Sequence, residues 1–391
     1  MTINVITATE DLAALCRRLS TAEFITVDTE FMRESTFWPI LCLAQVAGPD
    51  ETAAIDTLAP GIDLAPLFAL LSDPSVLKVF HAARQDLEIF HHLDGRVPAP
   101  LFDSQVAAMV CGFGEQVSYQ ALAAKLAGAH LDKSSRFTDW SHRPLSERQL
   151  EYAIGDVTYL RVIYERLSGS LEKSGRAAWV AEEMTALCDP ALYEQHPKNA
   201  WRRIKSRSTD RRFLAVLSTV AAWRDKEAQS RDQPRNRILR DESLLEIAAR
   251  APITVDGLAR TRGLGKRLAE GGMGRSLIAA VEAGLAIPEQ DRPKAAEARP
   301  PARGAGPVVE LLKVLLKMKC GAHDVAQRLV ATSADLERIA TDDDADVPTL
   351  HGWRREIFGE DALALKAGKL ALSVRDGRLR VDRLNVSEAA D

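Results

Sequence analysis

The chain has 391 residues, enough for two or three domains that each bury a core. Hydrophobic residues make up 46% and charged residues 27%, which excludes a disordered or collagen-like chain. The formal net charge of −4 argues against a uniformly basic polyanion binder, but Lys198–Arg275 alone holds 19 Lys and Arg against 9 Asp and Glu. A basic middle therefore stands between acidic flanks, and a polyanion footprint is local.

No apolar run approaches the ~20 residues of a membrane helix. The start, MTINVITATEDL, lacks the basic segment and apolar core of a signal peptide. Cys16, Cys42, Cys111, Cys188 and Cys320 are scattered with no CxxC pair, which fits a reducing cytoplasm rather than a disulfide framework or a zinc site.

Residues 1 to about 170 read as mixed α/β. Strands are expected over 24–30, 40–47, 52–56 and 76–81, separated by turn residues such as Gly48, Pro49 and Asp50. "AARQDLEIFHHL" reads as a helix, with Asp86 in its first turn, where the helix dipole favours an anion. His81 ends a strand in a structural role, and His91 and His92 belong to the helix surface. Asp103 before "SQVAAMVCG" is placed as an N-cap. Leu150, Ile154, Val157, Leu160 and Ile163 recur at threes and fours, which predicts a long helix over 146–168.

A helical connector is expected over 171–206, a basic helical domain over 207–290, a Pro/Ala/Gly/Arg-rich linker over 291–307 and a second helical domain over 308–391. The two helical segments look related. Shifted by 92 residues, Ile238 falls on Val330, Leu244 on Leu336, Ile247 on Ile339 and Leu258 on Leu350. Arg235 then falls on Gln327, Arg237 on Leu329 and Arg240 on Thr332, so three cations of the first copy are absent from the second. The first copy is expected to hold a polyanion, with Arg235 and Arg237 on its phosphates. The second would close the architecture or shape access.

In "ITVDTEFM" (25–32), Asp28 and Glu30 sit two apart on a strand and share a face. At an effective dielectric of ~20 two such charges 4 Å apart repel by about 4 kcal/mol, so water or a cation must screen them. Tyr152 and Asp156 are four apart and share a face of the long helix. If Asp28, Glu30, Asp86 and Asp156 converged, two divalent cations would be needed to neutralise them. An all-oxygen set without His or Cys suits Mg²⁺ or Mn²⁺. Spacing alone does not show that the four meet.

"VDTEF" (27–31), "HAARQDLEIF" (81–90) and "YAIGDVTYL" (152–160) resemble, in order, the three exonuclease motifs of the DEDD superfamily, and the Tyr-x₃-Asp form of the third marks its DEDDy branch. "DKSSRFTDWSHRPLSERQLEYA" (132–153) resembles the ribonuclease D family, and "PRNRILRDESLLEIA" (234–248) resembles an HRDC domain, with a degenerate copy after the linker. The resemblance implies an α/β ribonuclease H-like exonuclease domain with a central mixed sheet, followed by two all-α HRDC-type domains. It implies 3′→5′ exonuclease activity that releases 5′-mononucleotides and trims precursor tRNAs and other small structured RNAs, by a chain expected to be monomeric. It places one ion on Asp28, Glu30 and Asp156 and a second on Asp28 and, through water, Asp86. Tyr152 would orient the attacking water.

Lys133, Arg136 and Trp140, in the loop before the catalytic helix, are candidate substrate contacts, with packing on that helix as the other role for Trp140. Phe31 is a candidate wedge against the terminal base or a core residue. The active-site motifs do not separate RNA from DNA, so a DNA exonuclease of the same fold stays open, as does an inactive RNA-binding module. The absence of a GxxxxGK[ST] segment excludes a P-loop helicase.

Overall fold

The computed structural model describes residues 3–131, 138–295 and 305–384. The chain divides into two compact units, Met1–Glu30 with Leu43–Asp189 and Arg299–Asp391, and Phe31–Cys42 with Pro190–Ala298.

The exonuclease part runs β1 (Val5–Ile6), α1 (Thr9–Leu19), β2 (Phe24–Met32), β3 (Ile40–Ala47), β4 (Thr52–Ile55), α2 (Ala65–Leu71), β5 (Leu77–Phe80), α3 (Arg84–Asp94), β6 (Leu101–Asp103), α4 (Ser104–Val110), α5 (Glu147–Ser174) and α6 (Ala177–Leu187). The sheet order is β1-β4-β3-β2-β5-β6. β2, β5 and β6 pair in parallel, as do β1 and β4, whereas β3 and β4 are antiparallel. The sheet is thus mixed, as the sequence implied. β1 and β6 have two and three residues, too short to leave a periodic signal.

α5 begins where expected, with a capping box in which the Ser146 hydroxyl accepts from Gln149 N and the Gln149 side chain accepts from Ser146 N. It runs past the expected end near 168 to Ser174 and buries Ala153, Val157, Leu160, Ile163, Leu167 and Leu171. Asp103 caps α4 by accepting from Gln105 N at 2.8 Å.

The first helical domain packs α7 (Arg211–Ser230), α8 (Asp241–Arg250) and α9 (Gly272–Ala286) around Leu217, Val220, Leu244, Ile247, Leu277 and Val281. α9 and α7 approach closely at Gly284, where an added Cβ would stand 2.7 Å from Val216 Cα.

The C-terminal domain places α10 (Ala305–Ala322) and α11 (Ser333–Thr341) in the same relation. The helical turn Arg235–Ile238 recurs as Gln327–Val330, 92 residues on. Asp232 and Asp324 both take φ 46°. The bonds Gln233 N to Ala228 O and Leu239 N to Arg235 O recur as Val325 N to Cys320 O and Ala331 N to Gln327 O.

One feature differs from the expected all-helical domain. Leu370–Arg375 (β7) and Arg378–Arg383 (β8) form an antiparallel hairpin. Asp376 (φ 52°) and Gly377 (φ 69°) make the two-residue turn that Asp-Gly favours because both central positions need positive φ. That dipeptide was the available signal.

The C-terminal domain is docked on the exonuclease part. Trp179 stacks on Trp353 with ring centroids 4.5 Å apart, Arg354 pairs with Glu182 at 2.8 Å and with Glu183, and Ala326 N donates to Met109 O at 3.0 Å. Burial already holds the Glu183 carboxyl above its usual range despite Arg354. Arg354→Ala is therefore expected to destabilise the protein by about 2–4 kcal/mol. The loss should be larger at pH 8 than at pH 5, because a Glu183 carboxyl raised further is stable only while it keeps its proton. Denaturant midpoints that do not separate the variant from wild type at either pH would show that the docking contributes nothing.

Candidate active site

The strand and helix motifs meet at one end of the sheet. β2 pairs with β5 only through Phe24, Ile25 and Thr26, so Asp28 and Glu30 lie beyond the last pair, toward the carboxyl ends of these parallel strands. Ligands of open α/β sheets collect at such ends. α5 is held against β2 by Thr26, whose hydroxyl donates to Val157 O at 2.8 Å, one residue past Asp156. Tyr119 pins the preceding residue by donating from its hydroxyl to Gly155 O at 2.8 Å. Asp156 is thereby carried to Asp28 and Glu30, and one carboxylate oxygen of each lies within 4.8 Å of the others.

Asp86 stands beside this trio, and its carboxylate accepts from the Thr29 hydroxyl. Thr29 points to the other face of the strand from Asp28 and Glu30. α3 is aimed by Asp103, whose carboxylate accepts from Ala82 N and Ala83 N at 2.9 Å each. Ala82 is left-handed at φ 59°, an unfavourable conformation for a residue with a Cβ. The N-cap Asp103 thus also clamps the turn that delivers Asp86.

The electrostatics match a site that needs cations. Burial, and then the charges of Asp156, Asp86 and Glu30, push the Asp28 carboxyl well above its ordinary value. Burial pushes Asp86 up to about 7, against the bond from Thr29. Asp28, Glu30 and Asp156 are only half-buried, so the carboxylates stay reachable. Three converging carboxylates with no nitrogen or sulfur donor among them fit hard divalent ions.

Tyr152 is raised above its ordinary range by burial first and then by Asp156, Glu30 and Asp28. It is therefore a neutral phenol at physiological pH, able to donate a hydrogen bond. His81 is held neutral by burial, its Nδ1 2.9 Å from the Ser104 hydroxyl, as its structural role required.

The substrate-contact candidates divide. Lys133 and Arg136 lie outside the described residues. Trp140 is 2% exposed and its ring lies 6.1 Å from that of Tyr152. It therefore offers no face to a nucleotide and instead supports the Tyr152 ring. Phe31, next after Glu30 on β2, is half-buried. Arg237 is exposed. Arg235, expected on phosphates, is built into the fold. It pairs with the fully buried carboxylate of Asp225 and lies over the Phe37 ring at 4.3 Å. A buried carboxylate needs such a partner, and the demand was not legible because Asp225 looks like an ordinary helix acid.

Sequence reasoning also missed Thr29, Tyr119 and the pair of Arg143 with Asp56, in which Nη2 and Nε donate to the two carboxylate oxygens at 2.6 and 2.8 Å. That pair ties the loop before α5 to the end of β4. No spacing rule marks these residues, because each acts across 36 or more positions of sequence.

A mixed sheet flanked by helices, with a carboxylate trio at the strand ends and a phenol on the adjoining helix, has the donor set of a metal-dependent phosphoryl-transfer enzyme. Residues 3–172 match the model of a 3′-5′ exonuclease family and residues 213–281 that of the HRDC domain. The chain is 54% identical over 376 residues to ribonuclease D of Gluconacetobacter diazotrophicus, covering 96% of each. It is 52% identical to ribonuclease D of Granulibacter bethesdensis over 96% of this chain and 95% of that one. Among solved structures, Escherichia coli RNase D, described as an exoribonuclease involved in structured RNA processing, superposes with a TM-score of 0.81 at 32% identity over 94% of this chain and 99% of that one. The chain belongs to the ribonuclease D family and is a 3′-5′ exoribonuclease. No helix among the described residues is long and apolar enough to cross a membrane.

Proposed function

We propose that this exoribonuclease trims the 3′ ends of precursor tRNAs and other small structured RNAs, releasing 5′-mononucleotides with the help of two divalent ions, Mg²⁺ or Mn²⁺. The observation that carries the reading is the convergence of Asp28, Glu30 and Asp156, with Tyr152 one turn before Asp156 on the same helix. Asp28, Glu30 and Asp156 would hold one ion, and Asp28 with Asp86 the second. Such ions, when bound, lower the pKa of water and neutralise charge on the reacting phosphoryl group. Tyr152 donates from its neutral hydroxyl to orient the attacking water, and Trp140 and the Arg143–Asp56 pair keep that ring in place. Phe31 is the proposed contact for the terminal base.

The structured-RNA substrate class follows the E. coli relative's description. The chain would work as a monomer in the cytoplasm, and its free cysteines suit a reducing compartment. The basic domain at 213–281 would hold RNA, and the C-terminal domain, a degenerate second HRDC copy, would complete the architecture.

The test is hydrolysis of a precursor tRNA with a 3′ trailer, compared with matched RNA and DNA single strands. We expect metal-dependent release of 5′-mononucleotides, faster from RNA, with trailer shortening from the 3′ end. Equal or faster hydrolysis of the DNA would favour the DNA exonuclease reading, and internal cleavage or no release would overturn the proposal.

A further inference from the structure

The compact unit of Phe31–Cys42 and Pro190–Ala298, which includes the basic helical domain, contains a polar cleft of about 350 Å³, lined among others by Arg33, Arg203, Arg224, Arg235, Phe37 and Asp241. Four guanidinium groups face it against one carboxylate. Arg235 is balanced by the buried Asp225 and forms a wall over Phe37. Arg224 has a side chain only 5% exposed, and its Nη1 donates to Leu239 O at 2.8 Å and to Asp241 at 2.6 Å. Its Nε is buried with no hydrogen-bond partner among the described residues. An unmet buried N–H costs about 1–3 kcal/mol, more on a charged group. Arg203 and Arg235 both donate to the same acceptor, Gln195 Oε1, at 3.0 and 3.3 Å. The neutral amide holds Arg203 beside Arg235 without offsetting the Arg203 charge. Arg33 and Arg203 are exposed at the rim.

We infer that this cleft is a phosphodiester subsite, in which Arg33, Arg203 and the Nε–H of Arg224 grip one backbone phosphate of the RNA whose 3′ end is being hydrolysed. The inference deepens the reading that the basic domain holds RNA and rests on it. An oxyanion supplies acceptors for the orphaned Nε–H and for the rim guanidinium groups, which suit phosphate through paired N–H donors. The grip is sequence-independent, as an exonuclease that moves along a strand requires.

The test uses the full-length protein and a 5′-labelled 12-nucleotide oligoadenylate RNA. Arg33 and Arg203 are exposed, so the double variant R33Q/R203Q should fold like wild type, which circular dichroism and Tm will check. We expect its KM to rise about tenfold and the log–log salt slope of binding to flatten by about 0.7, the effect of one lost phosphate contact. A second double variant, R260Q/R267Q, removes two exposed arginines of the same domain that do not line the cleft. Its KM should change less than twofold. Equal losses in both pairs would mean that only the general field of the domain acts, and an unchanged KM in R33Q/R203Q would exclude the cleft; either overturns the inference. Failure of the wild type to release mononucleotides would instead sink the exonuclease reading, so the two failures are distinct.

Discussion

Replacing Asp28, Glu30, Asp86 or Asp156 singly with Asn is expected to lower RNA hydrolysis about 10³-fold or more, while the metal-free protein melts at the same or a higher temperature. Losing a metal carboxylate removes several kcal/mol of charge stabilisation in the transition state, and each 1.36 kcal/mol is a factor of about ten in rate. The stability gain has the opposite origin. Without a cation the carboxylates repel, and burial together with Asp156, Asp86 and Glu30 raises Asp28 well above its usual range.

Asp86 gives this effect a pH signature. Its folded value of about 7 exceeds the ordinary carboxyl value of 3.8, so the folded state binds the proton more tightly than the unfolded state. The resulting stabilisation is complete below about pH 4 and is lost as pH rises through about 7. Asp86→Asn should therefore raise the metal-free Tm more at pH 8 than at pH 5. Mg²⁺, competing with protons for the same oxygens, should raise the wild-type Tm at pH 8 and much less at pH 5. A variant that kept more than about a tenth of wild-type turnover at saturating Mg²⁺ would remove that acid from the ligand set, and a Tm insensitive to Mg²⁺ at pH 8 would contradict the cluster as a metal site.

Tyr152→Phe is expected to lower kcat about 10²-fold with KM nearly unchanged, because it deletes one positioned hydrogen bond to the nucleophile and keeps the ring. Burial and three neighbouring carboxylates raise the phenol above its ordinary range, so it stays neutral through the working pH range. The wild-type rate should accordingly show no alkaline limb from this group below about pH 10. An effect confined to KM would make Tyr152 a substrate contact, and a pH–rate limb near neutrality that disappears in the variant would make it a proton acceptor.

The buried strands were legible because a short apolar run bounded by turn residues is a local signal: 24–30 and 40–47 were expected, and Phe24–Met32 and Ile40–Ala47 formed. The start of α5 was legible because the Ser146 cap lies beside the residues it serves. The hairpin at 370–383 has a local mark only in Asp376-Gly377, and its strands lie outside the positions 330–350 over which the 92-residue repeat holds. Arg235 was misplaced, and the choice between the two roles open to Trp140 was left undecided, for one shared reason. A large aromatic or a cation in a polar stretch looks like a surface group until its partner, Tyr152 or Asp225, is known.

From the sequence alone came the candidate acids, through the resemblance of their motifs, and the faces on which each pair sits, the basic domain and its repeat, which follow from local period and local charge. Only the tertiary structure decided that Asp156 reaches Asp28 and Glu30, through the Thr26 bond to Val157 across 131 residues. It also decided which arginines face a cleft and which neutralise a buried carboxylate, and that the C-terminal domain docks on the exonuclease part through Trp353 and Arg354. Such contacts depend on burial and on partners distant in the chain, and neither leaves a mark on the residues nearby in sequence.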